Sequence, residues 1–90
     1  MPRPWRLLYS AEVVRNLDAI DQQVARRLVA YLMERVLPLD DPRTLGKALK
    51  GSRLGSYWRY RVGSYKIVVD ILDQDLVVMV MRAGDRKNVY

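Results

Sequence analysis

Tyr57-Trp58-Arg59-Tyr60-Arg61-Val62, Gly63-Ser64, Tyr65-Lys66-Ile67-Val68-Val69-Asp70-Ile71-Leu72, Asp73-Gln74 and Asp75-Leu76-Val77-Val78-Met79-Val80-Met81-Arg82 decide the fold of this chain. Three runs rich in β-branched and aromatic residues are separated by two short polar breaks, the pattern of an antiparallel meander. Gly63-Ser64 suits a two-residue hairpin turn, because glycine takes positive φ without steric cost. With that turn, Val62 faces Tyr65, Arg61 faces Lys66 and Arg59 faces Val68. Side chains alternate with period two. One face then holds Tyr57, Arg59, Arg61, Lys66 and Asp70. The other holds Trp58, Tyr60, Val62, Tyr65, Ile67, Val69 and Ile71, and is the expected core. Like charges across a strand pair are normally unfavourable. The cationic face therefore reads either as a solvated surface of long, spread-out side chains or as an anion site. In the third run, Val77, Met79 and Met81 fall on the cationic face as a groove floor. Arg82 falls on the core-facing register, snorkelling at a sheet edge.

Upstream, Trp5 to Tyr9 reads as a first strand. Ser10 is a good N-cap with Glu12 in the first turn, and Val13, Leu17 and Ile20 recur at helical spacing. A helix over Ala11 to Ala19 follows. Asp21 caps a second, whose stripe is Val24, Leu28, Tyr31 or Leu32, and Val36, and Pro38 to Pro42 ends it. An αα-hairpin must bury its stripe, and the core face of the sheet is the natural place. Thr44 to Leu49 is expected to form one short helical turn. Gly84-Asp85 is expected to break the last strand. The fold class is α+β, with two N-terminal helices packed on a small antiparallel sheet in the order β-α-α-β-β-β. One domain spans residues 1–90, with no repeat or linker.

Composition narrows the chemistry. The chain has 90 residues, no cysteine and no histidine. Disulfide and thiolate chemistry and imidazole acid-base catalysis are excluded, and so is the commonest metal ligand. No apolar run is long enough to span a membrane, no signal peptide is recognisable, and a cytoplasmic location is the default. Residues 1–42 balance six Lys/Arg against six Asp/Glu, whereas residues 43–90 carry ten against four. The whole excess of +6 thus lies in the half holding the meander. A one-sided positive field favours nucleic acid or an acidic protein.

Three segments carry a family resemblance: Leu49-Lys50-Gly51, Trp58-Arg59-Tyr60-Arg61-Val62-Gly63-Ser64-Tyr65-Lys66, and Arg82-Ala83-Gly84-Asp85-Arg86-Lys87-Asn88-Val89-Tyr90. With these the chain resembles the RelE/ParE toxin superfamily of type II toxin–antitoxin systems, and the RelE-like branch in particular. The resemblance implies a fold akin to microbial ribonucleases. It implies a ribosome-dependent endoribonuclease that cuts mRNA in the A site, needs no metal or cofactor, and is held inactive by a cognate antitoxin. A higher-order toxin–antitoxin complex would bind operator DNA through the antitoxin. Carried over by position, the catalytic residues are Arg59, Lys66, Arg86 and Tyr90, and the RNA-binding residues are Lys47, Lys50, Arg53, Tyr57, Arg61 and Lys87. Two positions depart from the pattern: Tyr57 stands where the branch has a further lysine, and Asp85 where many relatives have histidine. Two alternatives stay open. One is a ParE-like toxin that poisons DNA gyrase. The other is a catalytically silent relative or a general nucleic-acid-binding module.

Overall fold

A computed structural model describes residues 4–49 and 57–85. The first strand, β1 (Arg6–Tyr9), leads directly into α1 (Ala11–Ala19) and α2 (Gln22–Tyr31). Ser10 caps α1, its Oγ accepting from Val13 N at 3.0 Å, and Asp21 caps α2 by accepting from Gln23 N at 2.7 Å. Both caps satisfy amides that have no intrahelical partner. A π turn over Leu32–Val36 extends α2, closed by Leu37 N donating to Leu32 O at 2.9 Å. Pro38 follows, with no N–H to continue the ladder.

The remaining elements are a 3₁₀ turn (Pro42–Leu45), then β2 (Lys47–Ala48), β3 (Tyr57–Val62), β4 (Tyr65–Leu72) and β5 (Val77–Asp85). The sheet order is β1-β5-β4-β3-β2, with β1 parallel to β5 and the other pairs antiparallel. This is an α+β fold, two helices on a mixed sheet. The hairpin register is the expected one: Val62 opposite Tyr65, Arg61 opposite Lys66, Arg59 opposite Val68.

The core lies between the helices and one face of the sheet. Val13, Leu28, Leu32 and Val36 meet Tyr60, Ile67, Val69, Ile71, Val78 and Val80, with Trp58, Val62 and Tyr65 packed at its margin. Trp58 and Tyr60 are thus core residues, as their alternation implied.

Four expectations are corrected. The segment expected to be a helical turn over Thr44 to Leu49 is instead a 3₁₀ turn ending at Leu45, then strand β2, because Lys47 and Ala48 pair with Arg59 and Trp58. The second polar break is longer than Asp73-Gln74, and Leu76 takes φ 54° before β5 begins at Val77. Gly84-Asp85 does not end the last strand, because Gly84 pairs with Lys66 and Asp85 with Tyr65. Arg82 does not follow the core register. The pairing slips between Val68 and Val69, so Val69 meets Val80 but Val68 meets Arg82. Such a bulge sets two residues against one and reverses the alternation beyond it.

The 3₁₀ turn is fastened to the sheet by polar contacts. Arg43 Nη1 donates to Asp73 Oδ1 at 3.1 Å, while Nη2 engages Oδ2. The guanidinium also lies 5.8 Å from the Trp58 ring centroid. Tyr60 Oη donates to Pro42 O at 2.6 Å inside the core. Burial pushes the Tyr60 phenol above its ordinary range, so it stays protonated as a donor.

Tyr60→Phe should therefore lower stability by about 1–2 kcal/mol, because the buried Pro42 carbonyl loses its donor. Urea denaturation checks this, and an unchanged midpoint would refute it. The Arg43 hydrogen bonds hold the Asp73 carboxyl below its ordinary value of 3.8. Its contribution is thus present above that value and is lost as pH falls through the lowered folded pKa. Asp73→Asn should melt at a temperature that falls less steeply with acidification below about pH 4 than wild type does.

Candidate nucleic-acid interface

The face of the sheet turned away from the helices is arranged in transverse rows. The central row runs Lys47 on β2, Arg59 on β3, Val68 on β4 and Arg82 on β5. The next row runs Arg61, Lys66 and Gly84. Five cations thus occupy two adjacent rows, about 7 Å apart along the strands. The row on the other side runs Tyr57, Asp70, Met79 and Leu8.

Lys66 is only 7% exposed. Burial on this scale is rare for lysine, since removing an ammonium from water is costly. Gly84 opposite has no side chain and is itself buried. Val68, two residues along β4, is also buried but stands outside the helix-side core cluster. Lys66 therefore rises from an apolar floor, a setting in which charge interactions weaken less than in water. Arg61 is exposed, and Arg59 and Tyr57 are half-buried.

Of the residues expected at the site, the structure brings Lys47, Tyr57, Arg59, Arg61 and Lys66 onto one face. Lys50, Arg53, Arg86, Lys87 and Tyr90 lie outside the described residues. The bulge adds Arg82, which the alternation had assigned to the core side. No local signal announces that bulge, which arises from how β5 is held at its outer edge. There β1 stops at Tyr9, paired with Val80. Ser10 Oγ then donates to Met81 O at 2.8 Å, and Ala83 N donates to Asn16 Oδ1 at 3.1 Å. Arg82 Nε lies 3.4 Å from Glu12 Oε2. Helix α1 thus replaces a strand along the end of β5 that leads to Arg86. Asp85 is opposite Tyr65, on the register of the other face, so it does not replace the missing histidine within the cationic rows.

Among the described residues, no group of three or more His, Cys, Asp or Glu is placed to hold a metal ion. No described helix is long and apolar enough to cross a membrane. A separate groove between α1 and α2 is lined by Leu17, Ile20, Ala25, Val29 and Met33, with Asp18, Arg26 and Glu34 at its rim.

Opposed cations cost stability in the absence of an anion. Arg61→Gln should stabilise the free protein by about 0.2–1 kcal/mol, because Arg61 and Lys66 form a directly opposite like-charge pair. The gain should shrink in about 1 M salt, where the screening length falls to roughly 3 Å. Thermal melts at two salt concentrations check it, and a destabilised variant would contradict the repulsion argument.

Comparisons with known proteins agree with this architecture. A chain of the RelBE2 toxin–antitoxin complex from Mycobacterium tuberculosis superposes with a TM-score of 0.81 at 20% identity, covering 94% of each chain. A chain of the intact E. coli RelBE toxin–antitoxin complex gives 0.72 at 20% identity, covering 90% of this chain and 95% of that one. A chain of the RelB–RelE antitoxin–toxin complex from Methanococcus jannaschii gives 0.66 at 22% identity, covering 89% and 91%. At such identities the likeness is one of fold. No curated protein matches the chain. Residues 7–90 match the family described as the ParE toxin of the type II toxin-antitoxin system, parDE. Nearly the whole chain is thereby accounted for, and the protein belongs to the ParE toxin family within the RelE/ParE superfamily of type II toxins.

Proposed function

We propose that this toxin is a ribosome-dependent mRNA endoribonuclease that cuts in the ribosomal A site by attack of a 2′-hydroxyl. The observation that carries the reading is the pair of cationic rows around the buried Lys66. In such a cleavage the 2′-oxygen bonds to phosphorus, the bond from phosphorus to the 5′-oxygen breaks, and a 2′,3′-cyclic phosphate remains. One proton leaves the 2′-hydroxyl and one is given to the departing 5′-oxygen. Charge gathers on the phosphorane oxygens between these events, where fixed guanidinium and ammonium donors act most strongly. Arg59 supplies paired donors for phosphate oxygens. Lys66 adds an ammonium donor from the adjacent row. Arg86 and Tyr90 complete the set on the family pattern, with Lys47, Lys50, Arg53, Tyr57, Arg61 and Lys87 holding the strand. No histidine is present, so alignment of the RNA by the ribosome supplies much of the rate.

A cognate antitoxin would silence this face with an acidic segment, anchoring its apolar residues in the groove between α1 and α2. The similar structures named above are toxin–antitoxin complexes. A larger assembly would then contact operator DNA through the antitoxin. One observation favours a second reading: the matching family is that of parDE. A gyrase-poisoning toxin would use the same cations for binding alone.

Mapping of mRNA 5′ ends on programmed ribosomes, beside a gyrase supercoiling assay, separates the two. Lys66→Ala and Arg86→Ala should each lower A-site cleavage by roughly 10²-fold, the scale of losing one transition-state donor. Arg61→Ala should mainly weaken binding. Intact mRNA together with arrested supercoiling would give the decision to the gyrase reading.

A further inference from the structure

Among the described residues, Asp70 is the one acid that the sheet pairing places on the cationic side, and its Oδ1 is buried with no hydrogen-bond partner. A carboxylate oxygen shielded from water without a donor is costly. Its surroundings give it a use. Tyr57 stands opposite on β3 and Met79 opposite on β5, with Leu8 beyond on β1. The row is thus an aromatic and apolar strip interrupted by one acceptor. The row of Lys47, Arg59 and Arg82 runs beside it, about 7 Å along the strands. That spacing is comparable to the distance between a nucleotide's base edge and its own phosphate.

We infer that Asp70 reads the Watson–Crick edge of a nucleobase, guanine, stacked on Tyr57 while the phosphate of the same nucleotide lies on the cationic row. Guanine offers adjacent donors, N1–H and the N2 amino group, to one carboxylate. Uracil offers a single ring N–H flanked by carbonyls that repel it. Bases of single-stranded RNA are commonly recognised this way, splayed out, stacked on an aromatic ring and bonded along that edge. Because Oδ1 is buried in the free protein, the base must displace the side chains that cover it. The inference rests on the RNA-cleaving reading for its biological meaning, but nucleotide binding can be measured without cleavage.

The test is titration of the full chain with guanosine 3′-monophosphate and uridine 3′-monophosphate, followed by NMR shifts of Tyr57 and its neighbours. Guanosine 3′-monophosphate should bind about tenfold more tightly, within the discrimination expected of a bidentate base contact. Asp70→Asn replaces an acceptor by a mixed amide of the same shape. It should erase that preference while leaving the affinity for inorganic phosphate unchanged. A thermal melt of the variant checks that it folds as wild type does. Equal binding of both nucleotides to wild type, or a preference that survives in Asp70→Asn, would overturn the assignment. If Asp70 instead awaits an arginine or lysine of a protein partner, the variant would lose antitoxin affinity with nucleotide preference absent throughout, which also overturns it. A wild type that prefers guanosine yet leaves mRNA intact on ribosomes would retain the base-reading site and reject the nuclease reading.

Discussion

Gly63 sits at φ 59°, and this one backbone angle sets the register of β3 against β4. A side chain at that position would meet two obstacles. The left-handed conformation is strained for L residues, and a Cβ would come within 2.8 Å of Arg27 Nη2. The register matters because the side-chain period of a strand is two. A slip of β3 by one residue would turn Arg59 and Arg61 into the core and put Tyr60 in water. The turn and the hydrophobic pattern therefore enforce the same pairing. Everything else on the cationic face follows from it.

The cost of that face is repulsion between neighbours, and the rest of the fold offsets it from the opposite side. Helices α1 and α2 cover Tyr60, Ile67, Val69, Ile71, Val78 and Val80 and exclude water from them. Removal of apolar surface from water, at about 25 cal/mol per Å², is the term large enough to hold several like charges together. Arg43 adds a fastening at the margin by joining the 3₁₀ turn to Asp73 and stacking near Trp58. That turn delivers β2, a strand of only two residues, to the edge of β3. Its brevity suits an edge, where long unpaired strands invite association. Lys47 thereby joins the row of Arg59.

The far end of β5 shows how a helix can finish a sheet. Beyond Val80 no described strand lies on that side, and a bare edge would leave backbone groups unpaired. Ser10 and Asn16 satisfy two of them from α1. Ser10 does so while capping the helix, so one hydroxyl joins α1 to both its own first turn and β5. The bulge in the same stretch swings Arg82 into line with Val68. The chain's final basic segment thus departs from a strand end held by α1.

Much of this architecture was legible in local pattern. Ser10 and Asp21 marked the helix starts, Pro38 closed the helical stretch, and Gly63 announced the hairpin. The alternation from Tyr57 to Ile71 separated core from cations correctly, and three short motif segments carried the family likeness. These features are local because caps, turns and alternation act within a few residues of one another. What tertiary structure alone decided depended on distant partners. The short strand at Lys47–Ala48 exists because Arg59 and Trp58 pair with it. Gly84 continues a strand that its own type would interrupt because β4 and α1 hold the backbone on either side. The bulge that reassigns Arg82 stands where β5 leaves β1 for α1. The dry, unpaired oxygen of Asp70 results from the packing of neighbouring strands, and no single stretch of sequence encodes it. Period and propensity specify which face a residue prefers, whereas burial and pairing are set by segments that meet only in the folded chain.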